Sequence, residues 1–269
     1  MSAALAGTGT GWVIVSRERS GAAAAGVIGP GLRGWFRYAG EEMGREQLRR
    51  SCLVLAPHPD DETLGCGATI LAKLAAGVEV TVAVVADGRA LGTGPAELEM
   101  AALRRRELEA AAAALGLERD RLVLLGFPDG GLGDQVTEVA DAIADLVATR
   151  RPSQVLVTAG WDPHPDHAAL GAGAAAALAG KPDVEVLEYP IWQWAQPSAW
   201  TGLRRAGRPR LVATGGLLDA KRAALSAHAS QLAPDVADLG LTPGRGTLLG
   251  KAFVSRFLWT HEIFFPGPP

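Results

Sequence analysis

The chain has 269 residues, 48% of them hydrophobic and 20% charged, with a formal net charge of −3. That is enough chain to bury a large core, and its near-neutral balance excludes a general nucleic-acid binder, which neutralises phosphates with clustered Lys and Arg. The two cysteines, Cys52 and Cys66, are too few for a disulfide framework and point to a reducing cytoplasm.

Residues 1–50 carry the weakest pattern. The stretch GWVIVSRE reads as a short edge strand, and GLRGWFRYAGEEMGREQLRR as a partly amphipathic helix bearing Trp35, Phe36 and Tyr38. Together they are expected to form an N-terminal arm packed on the main domain. The N-terminus places its charges after its short apolar run, the reverse of a secretory leader. No run of about 18 apolar residues exists to span a membrane.

From Ser51 the pattern becomes regular. Apolar β-branched runs appear at CLVLAP, VEVTVAVVAD, RLVLLGF, QVLVTAG and VEVLEYP, continuous enough for strands covered on both faces. Between them, helices are expected over Glu62 to Ala76, Pro95 to Leu115, Asp134 to Thr149 and Asp166 to Leu178, with Gly77 and Gly116 at C-caps. This alternation predicts one α/β domain over 1–269, doubly wound, with a mainly parallel sheet, helices on both faces and a core at 51–232. The segment IWQWAQPSAW interrupts the rhythm and reads as a loop.

Two phrases carry the chemistry. APHPDDE follows the first regular strand, and WDPHPDH follows QVLVTAG, so both fall at the carboxyl edge of the sheet where open α/β folds bind ligands. Pro at the first helical position and acids in the first turn suit a helix start, so capping alone would explain Pro59, Asp60, Asp61, Glu62 and the Pro165-Asp166 pair. It leaves His58, His164 and His167 unexplained, three of the five histidines in the chain.

Ligand chemistry explains them better. A catalytic zinc takes two histidines and a carboxylate and leaves a position open, a set that His58, Asp61 and His167 can supply. Asp60, beside a ligand, is then the candidate general base. A cationic His164 would stabilise the oxyanion, with Asp166 orienting it and raising its pKa. The implied reaction is metal-assisted hydrolysis of an amide or ester.

These residues resemble the LmbE-like, or PIG-L, family of metal-dependent N-deacetylases, whose two motifs stand here as APHPDDE and HPDH. RRRELEAAAAALGL, FPDGGL and KRAALSAHASQ extend the resemblance from Ser51 to about Gln231. It implies a Rossmann-like fold and zinc, with Fe2+ or Co2+ as substitutes, on His58, Asp61 and His167. It also implies Asp60 as base, His164 as electrostatic stabiliser, and a small N-acetylglucosaminyl substrate carried on a larger molecule.

Arg104, Arg105 and Arg106 open a helix from which the family reaches substrate, and Arg105 and Arg106 are taken as candidates. Asp129, Trp192, Trp194 and His228 join them as candidate substrate contacts; each has a bland alternative as turn, core or packing residue. Gly65 and Gly67 fit a close helix–sheet approach. The tryptophan loop favours a glycopeptide antibiotic carrying N-acetylglucosamine as substrate. A glucosaminyl-inositol precursor of mycothiol type is the alternative, and a non-catalytic sugar-binding module the alternative of another class.

Overall fold

A computed structural model describes residues 36, 39–91, 96–196 and 207–268. Among these residues eight strands form one sheet: β1 (Glu41–Glu42), β2 (Cys52–Ala56), β3 (Val80–Ala86), β4 (Leu122–Phe127), β5 (Gln154–Thr158), β6 (Glu185–Tyr189), β7 (Arg210–Ala213) and β8 (His261–Pro266). Among the described residues the α-helices are α1 (Arg45–Leu48), α2 (Asp61–Ala75), α3 (Ala96–Ala114), α4 (Val136–Arg150), α5 (Pro165–Leu178), α6 (Leu218–Ser226) and α7 (Lys251–Val254).

The strand order is β1-β7-β8-β6-β5-β2-β3-β4, parallel throughout except that β8 runs antiparallel to β6 and β7. The connection from β2 leads toward β3 and β4, whereas β5 leads on to β6 on the other side. Adjacent β2 and β5 therefore flank the switch point, and open α/β sheets bind ligands beyond the carboxyl ends of the strands there. Both chemical phrases begin there.

The sheet is covered on both faces, as the unbroken apolar strands predict. Cys52, Val54 and Ala56 face one core with Leu64, Ile70 and Leu108; Leu53 and Leu55 face another with Val139, Ile143 and Leu170. Each buried Val or Leu contributes about 1.5–3 kcal/mol. The expected helices agree with the observed ones to within one or two residues, and Gly77 and Gly116 take positive φ of 73° and 79° beyond α2 and α3.

Helix α2 sits unusually close to the sheet. A Cβ on Gly65 would stand 2.3 Å from the Tyr189 ring, so only glycine permits this approach. Farther along, Glu262 of β8 accepts the Ala68 and Thr69 N–H groups at 2.7 and 2.8 Å. Lys221 of α6, fully buried, bridges Glu262 and the Leu64 carbonyl, 2.7 Å from each.

The helix expected across residues 31–50 does not form as one piece. The chain is helical at Phe36 and Ala39, then passes through Gly40 into β1 and α1. Glycines 34, 40 and 44 each cost a helix about 1 kcal/mol, and the edge of β7 offers Glu41 and Glu42 a parallel partner instead. Phe36 is buried against Trp194, Trp259 and Phe265, which ties this segment to the core. GWVIVSRE, Trp35, Tyr38 and Trp200 lie outside the described residues.

Candidate active site

The turn after β2 is strained. Asp60 adopts φ 133° and ψ −28°, a conformation that costs a non-glycine residue about 1–3 kcal/mol. Three contacts hold it there: Glu62 Oε2 accepts the Asp60 N–H at 3.0 Å, Arg104 Nη2 donates to the Pro59 carbonyl at 2.8 Å, and the same nitrogen stands 3.2 Å from Asp60 Oδ2. The Thr63 and Leu64 N–H groups bond the Asp60 carbonyl and start α2.

This turn sets Asp61 beneath His58, whose Nδ1 lies 3.2 Å from Asp61 Oδ2. On the β5 side, the Asp162 carboxylate accepts N–H groups from His164, Ile191 and Gln193 and shapes the approach to α5. His164 is the N-cap of α5, its Nδ1 accepting the Asp166 N–H at 3.3 Å, with Pro165 in the first turn as the sequence predicts. His167, with no exposed surface, places Nε2 3.2 Å from the same Asp61 Oδ2.

One carboxylate oxygen is thus equidistant from two imidazole nitrogens. Ligand atoms held about 2.1 Å from a tetrahedral ion stand about 3.4 Å apart, so these separations fit a bound cation. Neither ring nitrogen of His167 makes a hydrogen bond among the described residues, although the ring is buried. A buried imidazole without such a partner is costly unless something else takes its lone pair. Ring nitrogens of His58, His164 and His167 also lie within 4.8 Å of one another. These three histidines can hold a metal ion, with Asp61 Oδ2 beside two of them.

The far sides of these rings are braced. His58 Nε2 meets Asp129 Oδ1 at 3.0 Å and Asp166 Oδ2 at 3.1 Å, and His167 Nδ1 faces Asp162 Oδ1 at 3.5 Å. Carboxylates behind imidazoles fix orientation and raise basicity at metal centres. His58, Asp129 and Asp166 also have the spacing of a ligand group. Here both acids meet the one His58 nitrogen that points away from Asp61, an arrangement that orients the ring.

Electrostatics separates the acids. Burial pushes the Asp60 carboxyl up to about 7, against the downward pull of Arg104 and with the upward push of Asp61. Burial would raise Asp61 too, but His167 and His58 outweigh it and hold it far below the carboxylate range. Asp129 opposes its own burial through His58 and is lowered to about 2. Burial lowers His58, yet Asp129, Asp166 and Asp61 carry it well above the ordinary imidazole value.

Several expectations need correction. The arginine at the site is Arg104, 3% exposed, whereas Arg105 pairs with Glu109 on the solvent side of α3 and Arg106 is exposed. The Asp166 carboxylate does not brace the His164 ring: it accepts N–H groups from Gly130 and Leu132 and meets His58. Burial, with His167 and His58 nearby, lowers His164 to about 4 rather than raising it.

Trp194 belongs to the core, edge-on to Phe36 at 5.7 Å. His228 is 1% exposed and faces Glu62 from behind the site, so it is no surface for substrate. Trp192 does reach the site, nearly parallel to His164 at 6.2 Å and backed by Phe253 at 4.7 Å. It lies in a single 3-10 turn, Trp192–Ala195, within the expected loop.

Asp162 carries no role in the motif reading, Glu62 only that of a cap, and Arg104 is the one of the three arginines not taken as a candidate; all three brace the site. Arg104 had a signal: Leu108, Ala111 and Leu115 are buried at helical spacing, and that stripe runs back through position 104.

Fold and site together are those of an open α/β protein whose histidines beyond the switch-point strands can hold a metal ion. A family model described as PIG-L, GlcNAc-PI de-N-acetylase, matches residues 53–178. The probable N-acetyl-alpha-D-glucosaminyl L-malate deacetylase 2 of Bacillus cereus is 34% identical over 197 residues, covering 68% of this chain and 84% of that protein. The 1D-myo-inositol 2-acetamido-2-deoxy-alpha-D-glucopyranoside deacetylase of Rhodococcus erythropolis is 27% identical, covering 71% and 84%. The crystal structure of the A40926 pseudoaglycone deacetylase Dbv21 shares the fold, with a TM-score of 0.61, 21% identity and coverage of 81% and 97%. The chain belongs to the PIG-L family of amide hydrolases.

Proposed function

We propose that the chain is a zinc-dependent N-deacetylase acting on an N-acetylglucosaminyl group. The observation that carries this reading is Asp61 Oδ2, 3.2 Å from both His58 Nδ1 and His167 Nε2, beside a buried Asp60 braced by Arg104. Zinc, when bound by His58, Asp61 and His167, supplies Lewis-acid polarisation of the amide carbonyl. Asp60 accepts a proton from the attacking water and returns it to the departing amine nitrogen, so the base ends the cycle as it began.

His164 does its part as a neutral ring. Its Nδ1 accepts the Asp166 N–H, which leaves the imidazole proton on Nε2, free to donate to the carbonyl oxygen as charge develops there. Asp129 and Asp166 orient His58, and Asp162 orients His167.

Trp192 favours a glycopeptide antibiotic bearing N-acetylglucosamine, because an indole beside His164 offers a stacking face to a sugar or an aromatic aglycone. A glucosaminyl-inositol substrate is the second reading, favoured by the Rhodococcus relative. Acetate release from a panel of both classes decides between them.

Metal analysis and acetate release test the activity itself. About one zinc per chain is expected, and Asp60→Asn should keep the metal and lose the release. Bound metal without release from any N-acetylglucosaminyl compound would make the protein a sugar-binding module instead.

A further inference from the structure

Behind Asp60 lies a buried polar rack. Glu62, 2% exposed, uses Oε2 to accept the Asp60 N–H and Oε1 to accept the Thr63 hydroxyl at 2.5 Å. Oε1 also faces His228 Nε2 at 3.4 Å, and His228 is 1% exposed. Neither ring nitrogen of His228 makes a hydrogen bond among the described residues. The contact with Glu62 is therefore the one that gives this imidazole a polar direction.

His228 is itself held by the chain around it. Its carbonyl accepts the Gln231 and Leu232 N–H groups, closing a tight turn after α6. Ser230 in that turn donates its N–H and its hydroxyl to Glu107 at 2.7 and 2.6 Å. Glu107 stands three residues beyond Arg104 on α3, so one helix face grips both the Asp60 turn and the His228 turn. The two turns are thereby set at a fixed separation, with Glu62 between them.

We infer that His228 is a positioning residue that acts through Glu62 to hold Asp60 in its left-handed backbone conformation, with its carboxylate aimed at the attacking water. The inference rests on the deacetylase reading for the role of Asp60. The chain of contacts is short: the imidazole stands 3.4 Å from the carboxylate, and the carboxylate accepts the N–H of the strained residue. Asp60 would otherwise relax toward an ordinary helix N-terminus, because its φ of 133° is unfavourable for a residue with a Cβ. A relaxed Asp60 keeps its neighbour Asp61 in the first turn of α2, so metal binding survives while the base is misplaced.

The test compares His228→Leu, Glu62→Gln and their double variant with the wild-type, zinc-loaded protein. Each single variant should lower kcat about tenfold to hundredfold, the cost of misplacing a catalytic group by about 1 Å. KM and zinc content should stay near wild type. The double variant should be no slower than the worse single, because both act along one path. His228→Gln, which keeps a polar group toward Glu62, should recover part of the rate and serves where His228→Leu does not fold.

Crystal structures of the same variants give a readout independent of turnover: φ of Asp60 should leave the left-handed region. If kcat is unchanged, or if the two substitutions are additive, the inference is overturned. If wild-type protein releases no acetate, the deacetylase reading fails by itself. Asp60 φ then decides the rack, and an Asp60 that stays in place in His228→Leu or His228→Gln overturns it.

Discussion

Arg104 Nη2 lies 3.2 Å from Asp60 Oδ2 and 2.8 Å from the Pro59 carbonyl, so one guanidinium holds both the backbone and the carboxylate of the strained turn. Gly88 makes room for it: a Cβ there would stand 2.9 Å from Arg104 Cδ. Arg104→Gln removes the charge that lowers Asp60, whose carboxyl already stands at about 7 through burial. The Asp60 pKa rises further, so the acid limb of kcat/KM moves to higher pH, and a pH–rate profile reads the shift. Arg105→Gln, on the solvent side, leaves that limb where it is.

Asp162, fully enclosed by protein, faces His167 and ties three backbone N–H groups. Removing a carboxylate behind a metal-ligating imidazole weakens metal affinity about tenfold to hundredfold. Asp162→Asn is expected to show that loss in a zinc competition titration. At saturating zinc its turnover should lie closer to wild type than that of Asp60→Asn.

Gly65→Ala tests the close approach of α2 to the sheet. Alanine is the better helix former by about 1 kcal/mol, but its methyl would stand 2.3 Å from a Tyr189 ring that is 1% exposed and bonded through its hydroxyl to the Leu55 carbonyl. Overpacking of this kind costs about 1–3 kcal/mol, so the clash outweighs the propensity. Thermal unfolding should show Tm lower by several degrees, about 2–4 °C per kcal/mol for a chain of this size class.

Trp192→Ala distinguishes the two substrate classes. The indole is supported by Phe253 and lies alongside His164, so its loss removes a stacking face while leaving the proposed metal ligands in place. KM for an aromatic glycopeptide should rise about tenfold, the worth of one stacked pair of about 1.5 kcal/mol. KM for a glucosaminyl-inositol should change less. Equal changes for both would remove the argument for an aromatic aglycone.

Much of this was legible in the sequence because the signals were local. Runs such as CLVLAP and QVLVTAG specify strands buried on both faces, and the strand–helix alternation predicts the parallel core that β2 to β6 form. The two histidine phrases named the residues that converge on Asp61 Oδ2. What stayed hidden depends on tertiary direction. Consecutive helical residues point about 100° apart, so RRR alone does not say which arginine turns inward. Asp166 has a sequence neighbour in His164, but the Gly130 and Leu132 N–H groups, 36 and 34 residues away, compete for its carboxylate and win.

Residues 36–50 failed for a related reason. Their helical spacing was real in part, at Phe36 and in α1, but a strand edge supplied from Arg210 and Leu211 claimed Glu41 and Glu42. Trp192 and Trp194 share one aromatic segment, yet the 3-10 turn buries the Trp194 indole against Phe36 and leaves the half-buried Trp192 indole beside His164.

The Lys221–Glu262 bridge makes the start of α2 dependent on the far end of the chain. A protein stopped at residue 232 would retain every proposed ligand, the base and His228, yet leave Lys221 as a buried ammonium without its carboxylate. Breaking such a pair from one side costs about 3–5 kcal/mol, comparable with the whole stability margin of many domains. The two histidine phrases end at His167, but the bridge that holds α2 in place reaches to β8. Topology, and not motif length, defines what can be cut from this enzyme.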